Sequence, residues 1–247
     1  MENFPLYIRC LSEVLATAML IILGNGAVAN AELKGTKGHG TGWLSIALGY
    51  GCAVMLPAMI FGGISGNHIN PAFTLGLAIF NLFPWSEVLL YIISQVIGAM
   101  LGQLVVVAAY KPFYDKTENL DAVFGTFSTA PAAKGYLNGF ISEFIGSFVL
   151  FFSALGVTKA PFFSDNLGTA HLALGFVVMT LVISLGGPTG PALNPARDFG
   201  PRIMHQILPL KHKGSSHWEY AWVPIVAPIL GSIAAVATFQ YLIAQFM

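Results

Sequence analysis

Six stretches of the chain are apolar almost all round: Leu6–Ala29, Gly42–Phe61, Val88–Ala109, Leu137–Val157, Ala170–Gly187 and Ala221–Ala244. A bilayer core about 30 Å thick needs roughly 20 apolar residues per crossing helix. A helix without a polar face is one that meets lipid or a buried core, unlike the amphipathic helices of soluble domains. Strands of outer-membrane barrels alternate polar and apolar residues, and these stretches do not. The pattern predicts an all-α membrane protein with six transmembrane helices. Two further apolar pieces, Ile69–Leu82 and Leu193–Ile207, are 14 and 15 residues long. That length suits a re-entrant half-helix better than a full crossing. The connectors Asn30–Thr41, Tyr110–Tyr136, Thr158–Thr169 and Leu208–Tyr220 are polar and too short for a separate domain. Ala29-Asn30-Ala31 loosely matches a small-x-small cleavage site. With only Arg9 as a basic residue before it and Glu13 inside the run, however, the first stretch reads as a retained span.

Composition narrows the class further. Of 247 residues, 55% are hydrophobic and 9% charged, against about 25% charged in a soluble domain. A soluble fold so poor in charge would expose large apolar patches, which excludes a cytosolic enzyme, a disordered chain and a coiled coil. Eleven basic and eleven acidic residues cancel, so no net field draws nucleic acid. Cys10 and Cys52 sit in apolar runs, giving no disulfide framework or zinc site. His39, His171, His205, His212 and His217 scatter without a ligand spacing. No nucleophile–base pair or metal motif appears in the spans; no cofactor, metal or enzymatic activity is expected.

The chain repeats itself. Ser12-Glu13 opens the first span and Ser142-Glu143 the fourth. The segment Ser65-Gly66-Asn67-His68-Ile69-Asn70-Pro71-Ala72 is echoed by Thr189-Gly190-Pro191-Ala192-Leu193-Asn194-Pro195-Ala196. Each half, approximately 1–110 and 137–247, holds three spans and one short segment, so residues 1–247 form one domain. Three crossings are odd, so the second half runs inverted and the two short segments enter from opposite faces. Inverted repeats with broken helices place a site near the midplane where the repeats meet.

Asn is a preferred N-cap and Pro a preferred first helical residue, so Asn70-Pro71 and Asn194-Pro195 both start helices. The Asn side-chain oxygen caps the helix and leaves the amide group free to donate. Two helix N-termini at the midplane pool their positive dipole ends, each about half a charge. Neutral hydroxyl-bearing solutes are favoured there, and cations and protons opposed. Arg197, third in its half-helix, sits against the dipole and is costly inside a membrane unless it faces a cavity. It reads as a pore-lining donor and positive barrier. Asp198 turns about 100° away and reads as structural. Glu13 and Glu143 are expected to hold the unpaired backbone N–H groups of the re-entrant loops. A proton relay would need companion acids along the spans, which are missing.

These residues resemble the aquaporin superfamily, the major intrinsic proteins. Two Asn-Pro-Ala boxes, inverted halves and the spans-plus-half-helix layout cover essentially the whole chain. Gly190 through Arg202, with Asp198 directly after Arg197, is similar to the glycerol-facilitator branch, and Pro228-Ile229 fits that branch as well. The resemblance implies a selectivity filter near the outer face, made of Tyr50, Val182, Pro191 and Arg197. Typical glycerol channels place Trp, Gly and Phe at the first three positions, and this sequence departs at all three. The resemblance also implies a pore wall of backbone carbonyls from Gly66, Asn67, His68 and Ile69, and from Gly190, Pro191, Ala192 and Leu193. His68 is placed at a vestibule, tied to its loop. A homotetramer is implied too, and Gly98, Gly102 and Gly231 are small enough for close helix packing.

The reading that follows is a passive channel for glycerol, water and other small neutral solutes, in a lipid membrane and expected in the plasma membrane. Replacing two bulky aromatics predicts a filter at least as wide as usual, with Tyr50 adding a hydroxyl to its polar side. A protonated small hydroxy acid such as lactic acid fits, whereas its anion is barred by the cost of desolvating a charge. The alternative is an ion-coupled secondary transporter of a small polyol. The resemblance puts both termini in the cytoplasm. That leaves nine of the eleven Lys and Arg outside, and seven once Arg197 and Arg202 are set aside. The positive-inside rule favours the opposite orientation.

Overall fold

A computed structural model describes residues 4–164 and 166–246; the outermost ends of the two predicted repeats lie outside it. Among the described residues there are ten α-helices: α1 (Leu6–Glu32), α2 (Trp43–Ser65), α3 (Pro71–Ile79), α4 (Trp85–Tyr114), α5 (Leu120–Gly125), α6 (Leu137–Lys159), α7 (Pro161–Ser164), α8 (Leu167–Leu185), α9 (Pro195–Ile207) and α10 (Val223–Thr238). A short π-helical turn (Phe239–Ile243) and a 3₁₀ turn (Ala244–Phe246) prolong α10. Helices α1, α2, α4, α6, α8 and the α10 segment are long and apolar enough to cross a membrane. No strand occurs among the described residues.

The boundaries moved where the polar signal was weak. Helix α4 runs on to Tyr114, carrying Lys111 and Pro112 in its last turn. Helix α8 stops at Leu185, short of Gly187. The Tyr110–Tyr136 connector is not plain loop: Asn119 caps α5 by accepting from Asp121 N (3.0 Å) and Ala122 N (3.1 Å). Thr158–Thr169 likewise holds α7 and the first turn of α8.

The two halves pack alike. Helix α1 lies against α2 and α4, and α6 against α8 and α10. The halves join where α2 crosses α8. There a Cβ on Gly51 would stand 2.8 Å from the Gly175 carbonyl, and one on Gly175 3.0 Å from the Gly51 carbonyl. Each half-helix leans on the other half, α9 on α4 and α3 on α10. Gly98 and Gly102 do allow close packing, but against α1: added Cβ atoms would stand 3.0 Å from Thr17 Cβ and 2.9 Å from Ile21 Cβ. Gly231 does the same against Ser147 of α6, at 2.9 Å. These glycines are used inside the protomer, so they carry no argument for assembly. Leu6, Phe80, Phe83 and Ile243 share one apolar cluster, which puts both ends of the described chain on the face opposite the α5 connector.

Candidate functional site

Each half-helix begins as its sequence requires. Asn70 is extended (φ −155°) and its side-chain oxygen accepts from Ala72 N at 3.0 Å. Asn194 (φ −157°) accepts from Ala196 N at 3.0 Å and Arg197 N at 3.2 Å. The amides are not wholly free. Asn70 Nδ2 donates to the Leu193 carbonyl (2.9 Å) and Asn194 Nδ2 to the Ile69 carbonyl (2.7 Å). Each Asn thus ties its helix start to the opposite loop and keeps a second amide hydrogen to offer. Pro71, Ala72, Pro195 and Ala196 are buried around the meeting of α3 and α9.

The loops ahead of the boxes are bent into left-handed backbone at Asn67 (φ 48°), Ile69 (φ 44°) and Leu193 (φ 51°). For a β-branched residue such as Ile69 this is a true outlier, of order 1–3 kcal/mol, that surrounding structure must hold. Two buried carboxylates hold it. Glu13 accepts from Ile69 N (2.7 Å), His68 N (2.9 Å), Ser65 Oγ (2.7 Å) and Gln95 Nε2 (2.8 Å). Glu143 accepts from Leu193 N (2.7 Å), Ala192 N (2.9 Å) and Thr189 Oγ1 (2.8 Å). The carboxylates satisfy the loop N–H groups and turn the carbonyls the other way.

Two cavities meet along this wall. One, about 590 Å³, is lined by Glu32, Trp43, Asp121, Phe124, Gly190 and His217 among others. The other, about 90 Å³, runs past Asn67, His68, Ile69, Asn70, Ala192, Leu193 and Asn194, faced by Val54, Leu150, Leu174 and Val178. Four residues line both: Tyr50, Val182, Pro191 and Arg197. They stand at the neck between a wide chamber and a narrow one. Gly66 lines neither; it ends α2 in left-handed backbone (φ 83°), so the first carbonyl wall runs from Asn67. His68 is buried in the narrow chamber, not at a vestibule. Its ring is wedged among Phe73, Phe83 and Tyr91, and Nδ1 meets Thr74 Oγ1 at 3.1 Å. His217 lines the wide chamber beside exposed Glu219, whose backbone N–H and then this ring hold its carboxyl below the ordinary carboxylate range.

Arg197 donates through Nη1 to the Phe127 carbonyl (3.1 Å) and through Nη2 to Tyr50 Oη (2.5 Å). Its Nε is buried without a protein partner, and no carboxylate pairs with it among the described residues. Asp198 instead binds Arg202 (2.7 Å), Thr129 N and Thr129 Oγ1. Arg202 is fully buried and also donates to the carbonyls of Thr129, Ser216 and His217. The neck therefore keeps an uncompensated positive charge, while its neighbouring charges cancel. The Tyr50 hydroxyl differs from expectation: it gives its one proton to Asn25 Oδ1 and accepts from Arg197. Asn25 and Gln103 were missed by reading the sequence, although polar side chains in the middle of spans are themselves a signal of a partner.

Half-helices that meet inside a six-helix bundle, with a polar wall facing an apolar one through a charged neck, define a membrane channel. The profile of the Major intrinsic protein family matches residues 1–241. "Glycerol uptake facilitator protein-like 5" of Lactiplantibacillus plantarum is 51% identical over 94% of this chain and 95% of its own length. "Glycerol facilitator-aquaporin gla" of Lactococcus lactis subsp. lactis is 49% identical over 94% and 96%. The X-ray structure of the aquaglyceroporin from Plasmodium falciparum superposes with a TM-score of 0.86 at 28% identity, covering 98% of both chains. The chain belongs to the major intrinsic protein family.

Proposed function

We propose that this protein is a passive channel for glycerol, water and neutral solutes of similar width, excluding ions and protons. The carrying observation is the neck, where Tyr50, Val182, Pro191 and Arg197 join the two chambers. In this reading these four are the selectivity filter. The Asn70 and Asn194 amides and the carbonyls of Asn67, His68, Ile69, Gly190, Pro191, Ala192 and Leu193 replace the solute's hydration along one wall. The apolar wall leaves an ion nothing to exchange its water for. Glycerol facilitators at about half identity over nearly the full chain support the polyol. Protonated small hydroxy acids such as lactic acid join the solutes on grounds of size and neutrality. An ion-coupled transporter is disfavoured, because Glu13 and Glu143 are spent on loop N–H groups.

The protein works as a homotetramer with one pore per subunit, in the plasma membrane with both termini cytoplasmic; this part of the reading rests on the family alone. Stopped-flow swelling of proteoliposomes with glycerol, lactic acid at low pH and longer polyols tests the function. Downhill, non-saturating flux is expected. Accumulation driven by a proton or sodium gradient overturns it.

A further inference from the structure

Behind the neck, the Tyr50 side chain lies in a slot cut into α1. Its ring rests on Gly24, where an added Cβ would stand 2.7 Å from Cδ1 and 2.9 Å from Cζ, and closer still to Cε1. Its hydroxyl is held by the next residue, Asn25. Asn25 in turn gives both amide hydrogens away, to Gln103 Oε1 (2.6 Å) on α4 and to the Phe127 carbonyl (3.0 Å). That carbonyl also accepts from Arg197 Nη1, and Tyr50 Oη accepts from Arg197 Nη2. Asn25 and Gln103 are fully buried and line neither chamber. One connected network thus sets the ring and the guanidinium side by side at the neck, 5.2 Å from Arg197 Cζ to the ring centre.

We propose that Gly24, Asn25 and Gln103 are positioning residues that determine specificity, drawing the Tyr50 ring out of the lumen and so fixing the aperture. The inference rests on Tyr50 being part of the filter, as proposed above. The ring lies between the α1 backbone and the two chambers, so anything that fills the slot drives it into the passage. A hydroxyl bound on both sides leaves the ring no freedom to swing across the neck. Orientation by a residue that never touches the solute is the same logic by which remote packing places a reacting group.

Water, glycerol and erythritol fluxes through proteoliposomes test it, read as ratios so that the amount of active protein cancels. Gly24→Ala is expected to lower the glycerol-to-water ratio about tenfold, the scale at which one methyl discriminates in a fitted site, and the erythritol ratio more. Tyr50→Ala added to Gly24→Ala should restore glycerol passage, because no ring remains to displace. Asn25→Ala and Tyr50→Phe should change the ratios in the same direction, and in combination do no more than either alone. Unchanged ratios in Gly24→Ala, or failure of Tyr50→Ala to rescue it, overturn the slot. If Gly24→Ala does not fold, the Asn25–Tyr50 cycle decides instead: additive effects mean that Asn25 does not act through Tyr50. A wild type that conducts water but no glycerol would instead sink the channel reading above, whatever the variants do.

Discussion

The two box-bearing loops share a frame and use it differently. In both, a span carboxylate accepts the two N–H groups just before Asn: Glu13 those of His68 and Ile69, Glu143 those of Ala192 and Leu193. In both, the Asn amide reaches the other loop's carbonyl. The fourth residue after Asn then departs. Thr74 turns inward to His68 and Gln95, inside one apolar and aromatic cage. Asp198 turns outward to Thr129 and Arg202, and through Arg202 to Ser216, gathering two connectors on the opposite face. The lesson is a division of labour. Backbone geometry is repeated because both loops must bury bare peptide groups. The side chains at matched positions build a neutral narrow passage at one end and a charged, loop-lined mouth at the other.

The largest effect should come from breaking the shared frame. Glu13→Leu and Glu143→Leu each orphan several buried donors, at about 1–3 kcal/mol apiece. Both should lose flux and melt far lower in detergent, Glu13→Leu more so because its carboxylate also holds Ser65 and Gln95. Either variant melting like the wild type would show that the carboxylates do not hold the loops.

The charged mouth is separated from the neutral passage by Arg197→Val. This substitution removes the uncompensated cation at the neck, so proton or cation leak should rise on the order of tenfold or more, while His68→Ala at the other end leaves ions excluded. Current recordings in planar bilayers read this directly. Equal leak from both variants would erase the distinction between the two loops.

A smaller change is expected at the apolar side of the neck. Pro191→Phe should reduce glycerol and lactic acid flux about tenfold and water flux less, measured by light scattering. Unaltered flux of the wider solutes would mean that Pro191 does not limit the aperture. Smallest of all, Asn119→Ala removes the cap of α5 beside the wide chamber. It should cost about 1 kcal/mol, seen as faster amide exchange across Leu120–Gly125, with solute ratios unmoved. A shift in those ratios would make the connector part of the filter.

Much of this molecule was legible in one dimension. Lipid contact demands apolar length, so the six spans show as runs. An unpaired peptide group is costly in a membrane, so the Asn-Pro starts and the Glu13/Glu143 pair show as repeated exceptions to apolarity. Arg197 stood out for the same reason. What stayed hidden was pairing between distant elements. Nothing local says that Gly24 and Asn25 form a seat for Tyr50, or that the guanidinium of Arg197 rests on the hydroxyl of Tyr50. Nor does a small-residue pattern say whether Gly98, Gly102 and Gly231 face a neighbouring subunit or their own fold. The sequence by itself determined crossings, inverted halves and the identity of the polar groups, because each follows from the cost of exposing that group to hydrocarbon. The tertiary structure alone decided which polar groups cancel one another and which remain turned to the passage. Hydrogen bonds and ion pairs are matters of distance, and these partners lie 25 to 147 residues apart along the chain.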